Sequence, residues 1–162
     1  MALFFVINKS MTVERNLLST DNFRISFGGI DKLKNVEIYA VGLSLPGFSI
    51  GEVATSFLNH NGFVPGDTVE YETLSVTFAL DENLEVYKEL HSWIVDNSQT
   101  DQRIVEDITI QLLSSHLNVV MDLKFVDSFP TTVEGVELNT RQTDDNFATF
   151  SSTFRYDKFL IE

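Results

Sequence analysis

Polar and apolar residues alternate with a period of two along much of this chain. In Thr73–Leu80, Leu74, Val76, Phe78 and Leu80 fall on one face, with Thr73, Ser75 and Thr77 on the other. That is the pattern of a half-buried strand. In Leu117–Phe125, Leu117, Val119, Met121, Leu123 and Phe125 oppose Asn118, Asp122 and Lys124, with Val120 out of phase. Ala148–Tyr156 places Phe150, Phe154 and Tyr156 in phase. Asn22–Phe27, Val36–Leu43 and Glu106–Leu113 are shorter candidates. The polar link Ser114-Ser115-His116 reads as a hairpin turn, so Glu106–Leu113 and Leu117–Val126 are expected to pair antiparallel.

One segment changes period. Val86, Leu90, Trp93 and Ile94 recur at i, i+4, i+7 and i+8, which predicts a helix over about 81–97. Asp81 is the expected N-cap, and Glu82 and Glu85 suit the positive end of the helix dipole. Asp96-Asn97-Ser98 ends it.

Between Leu43 and Glu70 the pattern weakens. Leu45-Pro46-Gly47, Gly51, Asn59-His60-Asn61-Gly62 and Val64-Pro65-Gly66-Asp67 are turn chemistry. Phe48, Ile50, Val53, Phe57, Leu58 and Phe63 make the stretch too apolar for a solvated loop. It reads as an extended β-arm over about 44–68 that needs a partner surface to cover it. The expected fold is mainly β: an antiparallel sandwich or barrel of six or more strands with one flanking helix and this arm. Residues 1–162 form one domain, with 1–20 as an N-terminal arm.

The chain of 162 residues is 43% hydrophobic and 22% charged, a globular composition. It has no cysteine, which excludes a disulfide scaffold, a thiolate metal site and a cysteine nucleophile. Its net charge is −13. Residues 1–80 carry 8 acidic and 5 basic side chains, and residues 81–162 carry 16 and 6. Such an acidic surface does not adhere to DNA, RNA or an anionic membrane. The apolar run Leu3–Ile7 is too short for a signal-peptide core and is followed by Asn8-Lys9. The expected setting is a cytoplasm, with no membrane partner.

Catalytic motifs are absent from the sequence. No glycine spacing precedes a Lys-Ser/Thr pair, and there is no G-x-S-x-G elbow. Phe27-Gly28-Gly29-Ile30 reads as a hairpin or bulge. His60, His91 and His116 have no second ligand at metal-binding spacing. Glu106-Asp107 and Asp144-Asp145 are adjacent, so on a strand they point to opposite faces and do not converge. No catalytic, metal or cofactor site is expected. What remains is a set of small polar faces: Thr73, Ser75 and Thr77; Thr109 and Gln111; Thr149, Ser151 and Thr153. They are either the solvated side of a sandwich or the lining of a polar, acidic wall.

The order of these features resembles the tail tube proteins of contractile-tailed bacteriophages. The carriers are Val36–Leu43 running into Leu45-Pro46-Gly47, the arm ending in Pro65-Gly66-Asp67, and the strand Thr73–Leu80 followed by the helix. Phe129–Leu138 before a long aromatic C-terminal strand completes the set. The resemblance implies a β-sandwich flanked by a helix. It also implies six copies per ring, and rings stacked into a hollow tube with sheath and baseplate partners. DNA would be a transient, non-specific cargo, and the place would be a virion tail assembled in the host cytoplasm. Leu45, Pro46, Gly47, Phe48, Ile50, Val53, Phe57, Phe63, Pro65 and Gly66 are then expected at contacts between subunits or rings. Thr73, Ser75, Thr77, Asp122, Thr149 and Ser151 are expected to line the lumen. The alternatives are a tube-like baseplate or type VI secretion component and, from another class, a small monomeric β-barrel that binds an apolar ligand.

Overall fold

The computed structural model describes residues 21–28, 36–37, 39–57, 60–136, 138 and 147–162, with the side chains of Phe57 and Asn61 outside that description. In chain order the elements are β1 (Phe23–Gly28), β2 (Ala40–Ser44), β3 (Phe48–Phe57), β4 (His60–Tyr71), β5 (Leu74–Ala79) and α1 (Glu85–Gln99), then β6 (Glu106–Leu113), β7 (Val119–Val133), β8 (Thr149–Arg155) and β9 (Lys158–Ile161). Seven strands form one antiparallel sheet, with the order β1-β6-β7-β8-β5-β2 and β9 paired to β7.

The long strand β7 makes this sheet into two layers. As far as Ser128 it pairs with β6, and Leu123–Val126 also pair with β9. From Phe129 to Val133 it pairs with β8. The change of partner falls beside Asp127, whose φ of 53° is left-handed. A bulge of this kind turns a strand from one layer into the next. The first layer is thus β1, β6, β9 and the start of β7. The second is the end of β7 with β8, β5 and β2.

The core lies between them and is built by alternation. Ile25 and Phe27, Ile108 and Ile110, and Leu123 and Phe125 come from the first layer, and Leu74, Val76, Phe78, Phe150 and Phe154 from the second. Phe27 meets Phe154 with ring centroids 6.0 Å apart. Burying each such side chain contributes about 1.5–3 kcal/mol. Ser152, in phase with the phenylalanines of β8, is fully buried and donates to the Thr132 carbonyl at 3.0 Å. Helix α1 lays Val86, Leu90 and Trp93 onto this core. Tyr87 stands edge-on to Phe150 at 5.7 Å, and Trp93 packs on Phe154 at 6.3 Å. The architecture is the mainly β sandwich with a flanking helix that the periodicity predicts.

Four details differ from the sequence reading. The helix begins four residues later than expected, because Leu84 adopts a left-handed φ of 56°. Asp81 is not its N-cap residue; its Oδ1 instead accepts the Glu85 N–H at 2.9 Å from a turn ahead of the helix. Only the second half of Val36–Leu43 is strand. Val36 and Glu37 have helical backbone, which brings the Glu37 carboxylate back to accept the Phe27 N–H at 2.7 Å. The face predicted for Leu117–Phe125 is buried only from Leu123 onward, because the hairpin runs past the end of the core; Leu117 and Val119 are exposed. The aromatic C-terminal stretch is two strands, not one. It breaks after Tyr156, where the Asp157 N–H donates to Val126, and β8 and β9 enter different layers.

The segment expected as one extended arm folds back on itself. β3 and β4 form a separate two-stranded sheet, in register from Phe48↔Tyr71 to Phe57↔His60. Val64-Pro65-Gly66-Asp67 is not a chain reversal but a bulge inside β4. Ile50 pairs with Val69 and Glu52 with Pro65, so residues 66–68 face Gly51 alone. A Cβ on Gly66 would sit 2.7 Å from the Gly51 carbonyl oxygen, which explains glycine there.

Candidate functional site

Two surfaces of the described chain gather the residues singled out in the sequence. The first is the β3–β4 hairpin. Phe48 is 67% exposed and Phe63 65%, with Ile50, Val53, Val64 and Val69 also exposed. A monomer in water seldom leaves that much apolar surface along one element. The expected arm residues therefore gather on one hairpin. Phe48, Ile50 and Val53 lie on β3, Phe63, Pro65 and Gly66 on β4, and Leu45 and Gly47 at the root. Pro46 is buried at the root and presents no surface, and the Phe57 side chain lies outside the described residues.

The root joins the hairpin to the body. The Glu72 N–H donates to the Gly47 carbonyl at 2.9 Å, and the Gly47 N–H donates to Glu72 Oε2 at 3.2 Å. The Tyr156 hydroxyl donates to the Glu72 carbonyl at 2.7 Å. Its ring lies 6.0 Å from Tyr71 and 4.9 Å, edge-on, from Phe125. Burial, with the Tyr71 and Glu72 side chains nearby, pushes the Tyr156 hydroxyl up to about 12. It therefore stays protonated and a donor at any ordinary pH. Glu70, Tyr71, Glu72, Thr73 and Arg155 line an open groove of about 570 Å³ beside this joint. No local pattern announced it: Gly47 and Glu72 are 25 residues apart and Glu72 and Tyr156 are 84.

The second surface is the outer side of the β2-β5-β8 layer. Ser75 is opposite Thr153, Thr77 opposite Ser151 and Ala79 opposite Thr149, and directly paired residues share a face. Thr77 Oγ1 and Ser151 Oγ are 3.3 Å apart. The row continues onto β2, where Ser44 is opposite Ser75 and Gly42 opposite Thr77. A side chain at Gly42 would press on the Thr77 Cβ at 3.2 Å, so the face stays flat and small. Thr73 precedes β5 at the arm root.

Asp122 does not belong to that face. It lies on the first layer, where its Oδ1 accepts from Gln111 Nε2 at 3.1 Å and its backbone exchanges two hydrogen bonds with Glu162. Thr109 shares that outward side, opposite Lys124. Lys124 binds the Asp107 carboxylate at 2.9 Å. That hydrogen bond holds the Asp107 carboxyl below its ordinary value and lifts the Lys124 ammonium above its own. Asp107 also accepts the Asp127 N–H at 3.2 Å, beside the bend in β7. Glu106 points away and is raised, first by burial and then by Asp107.

His60 and His91 are exposed on β4 and α1, and His116 sits in the β6–β7 turn. Among the described residues, no three of His, Cys, Asp or Glu are grouped to hold a metal ion. Asp144-Asp145 lies outside the described residues.

The free surfaces fit self-extension of a sheet. Within the second layer, the described part of β2 pairs only with β5, and the end of β7 only with β8. Among the described residues, neither outer edge has a further strand partner, and such an edge is a template for another strand.

Known proteins share this arrangement. The tail tube terminator protein of Enterobacteria phage T4 is 26% identical over 158 residues, covering 91% of this chain and 90% of that protein. The anti-feeding prophage cap, described as a tube terminating cap, superposes with a TM-score of 0.74 at 15% identity, covering 98% of this chain and 99% of that one. The sheath/tube terminator of the extracellular contractile injection system PVC superposes at 0.73 with 18% identity, covering 92% and 99%. The sequence profile of the phage tail tube protein family matches residues 4–162. That match runs through nearly the whole chain, and the chain belongs to the phage tail tube protein family.

Proposed function

We propose that this chain is a tail tube terminator: a structural, non-enzymatic subunit that closes the end of a tail tube. The sequence reading placed it along the tube as a repeating subunit. The relationship to the T4 terminator, running through 158 residues, carries the revised reading. In this proposal six copies join the outer edges of the second layer into a ring. The β3–β4 hairpin reaches a neighbouring subunit or the tube below, which covers Phe48, Ile50 and Phe63. The hydroxyl face of Ser75, Thr77, Thr149 and Ser151 lines the bore. Small uncharged hydroxyls offer no cation to DNA phosphates, and a net charge of −13 repels them, so DNA passes without adhering. Asp122, on the other layer, is not part of that lining. Partners in this reading are tube and sheath proteins, in a virion tail assembled in the host cytoplasm.

Growth of tubes from a tail tube subunit of the same tail tests this, followed by light scattering and electron microscopy. The chain added at about one ring per tube end is expected to arrest elongation and to decorate ends only. Incorporation along the whole tube would return it to the role of a repeating subunit. A strict monomer that leaves growth unchanged and binds an apolar ligand stoichiometrically would overturn the structural reading altogether.

A further inference from the structure

We propose that Gly47, Glu72 and Tyr156 form a joint that holds the β3–β4 hairpin at one angle to the body. The chain leaves the sandwich after Ser44 and returns to it at Leu74, so two short connections carry a protruding element of 24 residues, Phe48 to Tyr71. The hairpin pairs with no other strand among the described residues. Left to two connections, such an element would swing. Glu72 prevents this by using three groups at once. Its N–H donates to the Gly47 carbonyl, its carboxylate accepts the Gly47 N–H, and its carbonyl accepts the Tyr156 hydroxyl. Tyr156 is the anchored end. It follows β8 directly, and its ring stands edge-on to Phe125, which is fully buried in the first layer. A fixed hairpin spares a neighbour the entropy of ordering it on contact. That the hairpin meets a neighbour rests on the function proposed above. Its fixed angle does not, and the experiment on the free protein separates the two.

The absence of cysteine makes site-directed spin labelling clean. Labels at Phe63→Cys on the hairpin and Gln99→Cys at the end of α1 report the angle as a distance distribution by pulsed electron paramagnetic resonance. The parent protein is expected to give one narrow distribution. Tyr156→Phe keeps the ring and removes the hydroxyl. It is expected to broaden the distribution at least twofold while the melting temperature stays within a few degrees. Gly47→Ala is a second route to the same loss. Its Cβ would meet Glu72 Oε2 at 2.8 Å and drive the carboxylate off the Gly47 N–H. Hydrogen exchange at the Glu72 amide should quicken about tenfold in both variants, with the cross-strand amides of β3 and β4 unchanged. Distributions equally narrow in the parent and both variants would overturn the joint. A broad distribution in the parent protein would overturn it too.

Discussion

Glu106 and Asp107 are neighbours on β6 and meet opposite electrostatic fates. Asp107 turns outward to Lys124, and that hydrogen bond lowers its pKa. It contributes stability at neutral pH that is lost as the pH falls through its folded value, a small term because the pair is exposed and screened. Glu106 turns toward burial and its pKa is raised. A carboxyl raised on folding carries a penalty above its unfolded pKa, and the penalty disappears below it. Glu106→Gln is therefore expected to raise the melting temperature at pH 7 and to leave it unchanged below the ordinary value of 4.5. Thermal melts at both pH values check this, and an equal or lower melting point at pH 7 would overturn it. The opposite facing of the pair was legible in the sequence, since strand neighbours alternate. The partner Lys124 was not, because it sits on another strand and only the register of β6 with β7 brings it near.

Helix α1 is held by packing more than by its ends. Its stripe of Val86, Leu90 and Trp93 is buried, while its start depends on a left-handed Leu84 and a carboxylate one turn away. Leu90→Ala leaves a cavity against the core and is expected to cost about 2–5 kcal/mol. Trp93, the single tryptophan, reports the loss directly, since its Nε1–H donates to the Ile104 carbonyl at 2.9 Å. Urea unfolding followed by its fluorescence measures the shift in midpoint; a cost below about 1 kcal/mol would mean the helix lies loosely on the sandwich. The hairpin is the contrasting element. Its turn residues were all visible as turn chemistry, yet Pro65-Gly66-Asp67 makes a bulge rather than a reversal. Which turn signal reverses the chain depends on the register with the partner strand, and here Gly66 packs so closely on the Gly51 backbone that the strand bulges past it.

The proposed ring brings copies of an acidic protein together. With a net charge of −13, copies repel at low salt. The Debye length falls from about 30 Å at 0.01 M to about 8 Å at 0.15 M salt. Association between copies is therefore expected to strengthen as salt rises over that range. Sedimentation velocity across a salt series measures it. Weakening with salt would mean that opposite charges, rather than sheet edges and the apolar hairpin, hold the contact.

Alternation is a local property, so the strands, the stripe of α1, the apolar character of the hairpin and the hydroxyl rows could be read from neighbouring residues alone. The mainly β class follows from these, because half-buried strands need a second layer to cover them. Contacts across long loops leave no such mark. The change of partner along β7 depends on a left-handed Asp127; aspartate adopts that conformation more readily than most residues, but aspartate occurs at many positions here and nothing local singles this one out. It moves Asp122 to one layer and the hydroxyl face to the other, which the chain order did not indicate. The Gly47–Glu72–Tyr156 joint likewise exists only once β4, β5 and β8 have met, because the groups that make it are ordinary until the fold closes the distance between them.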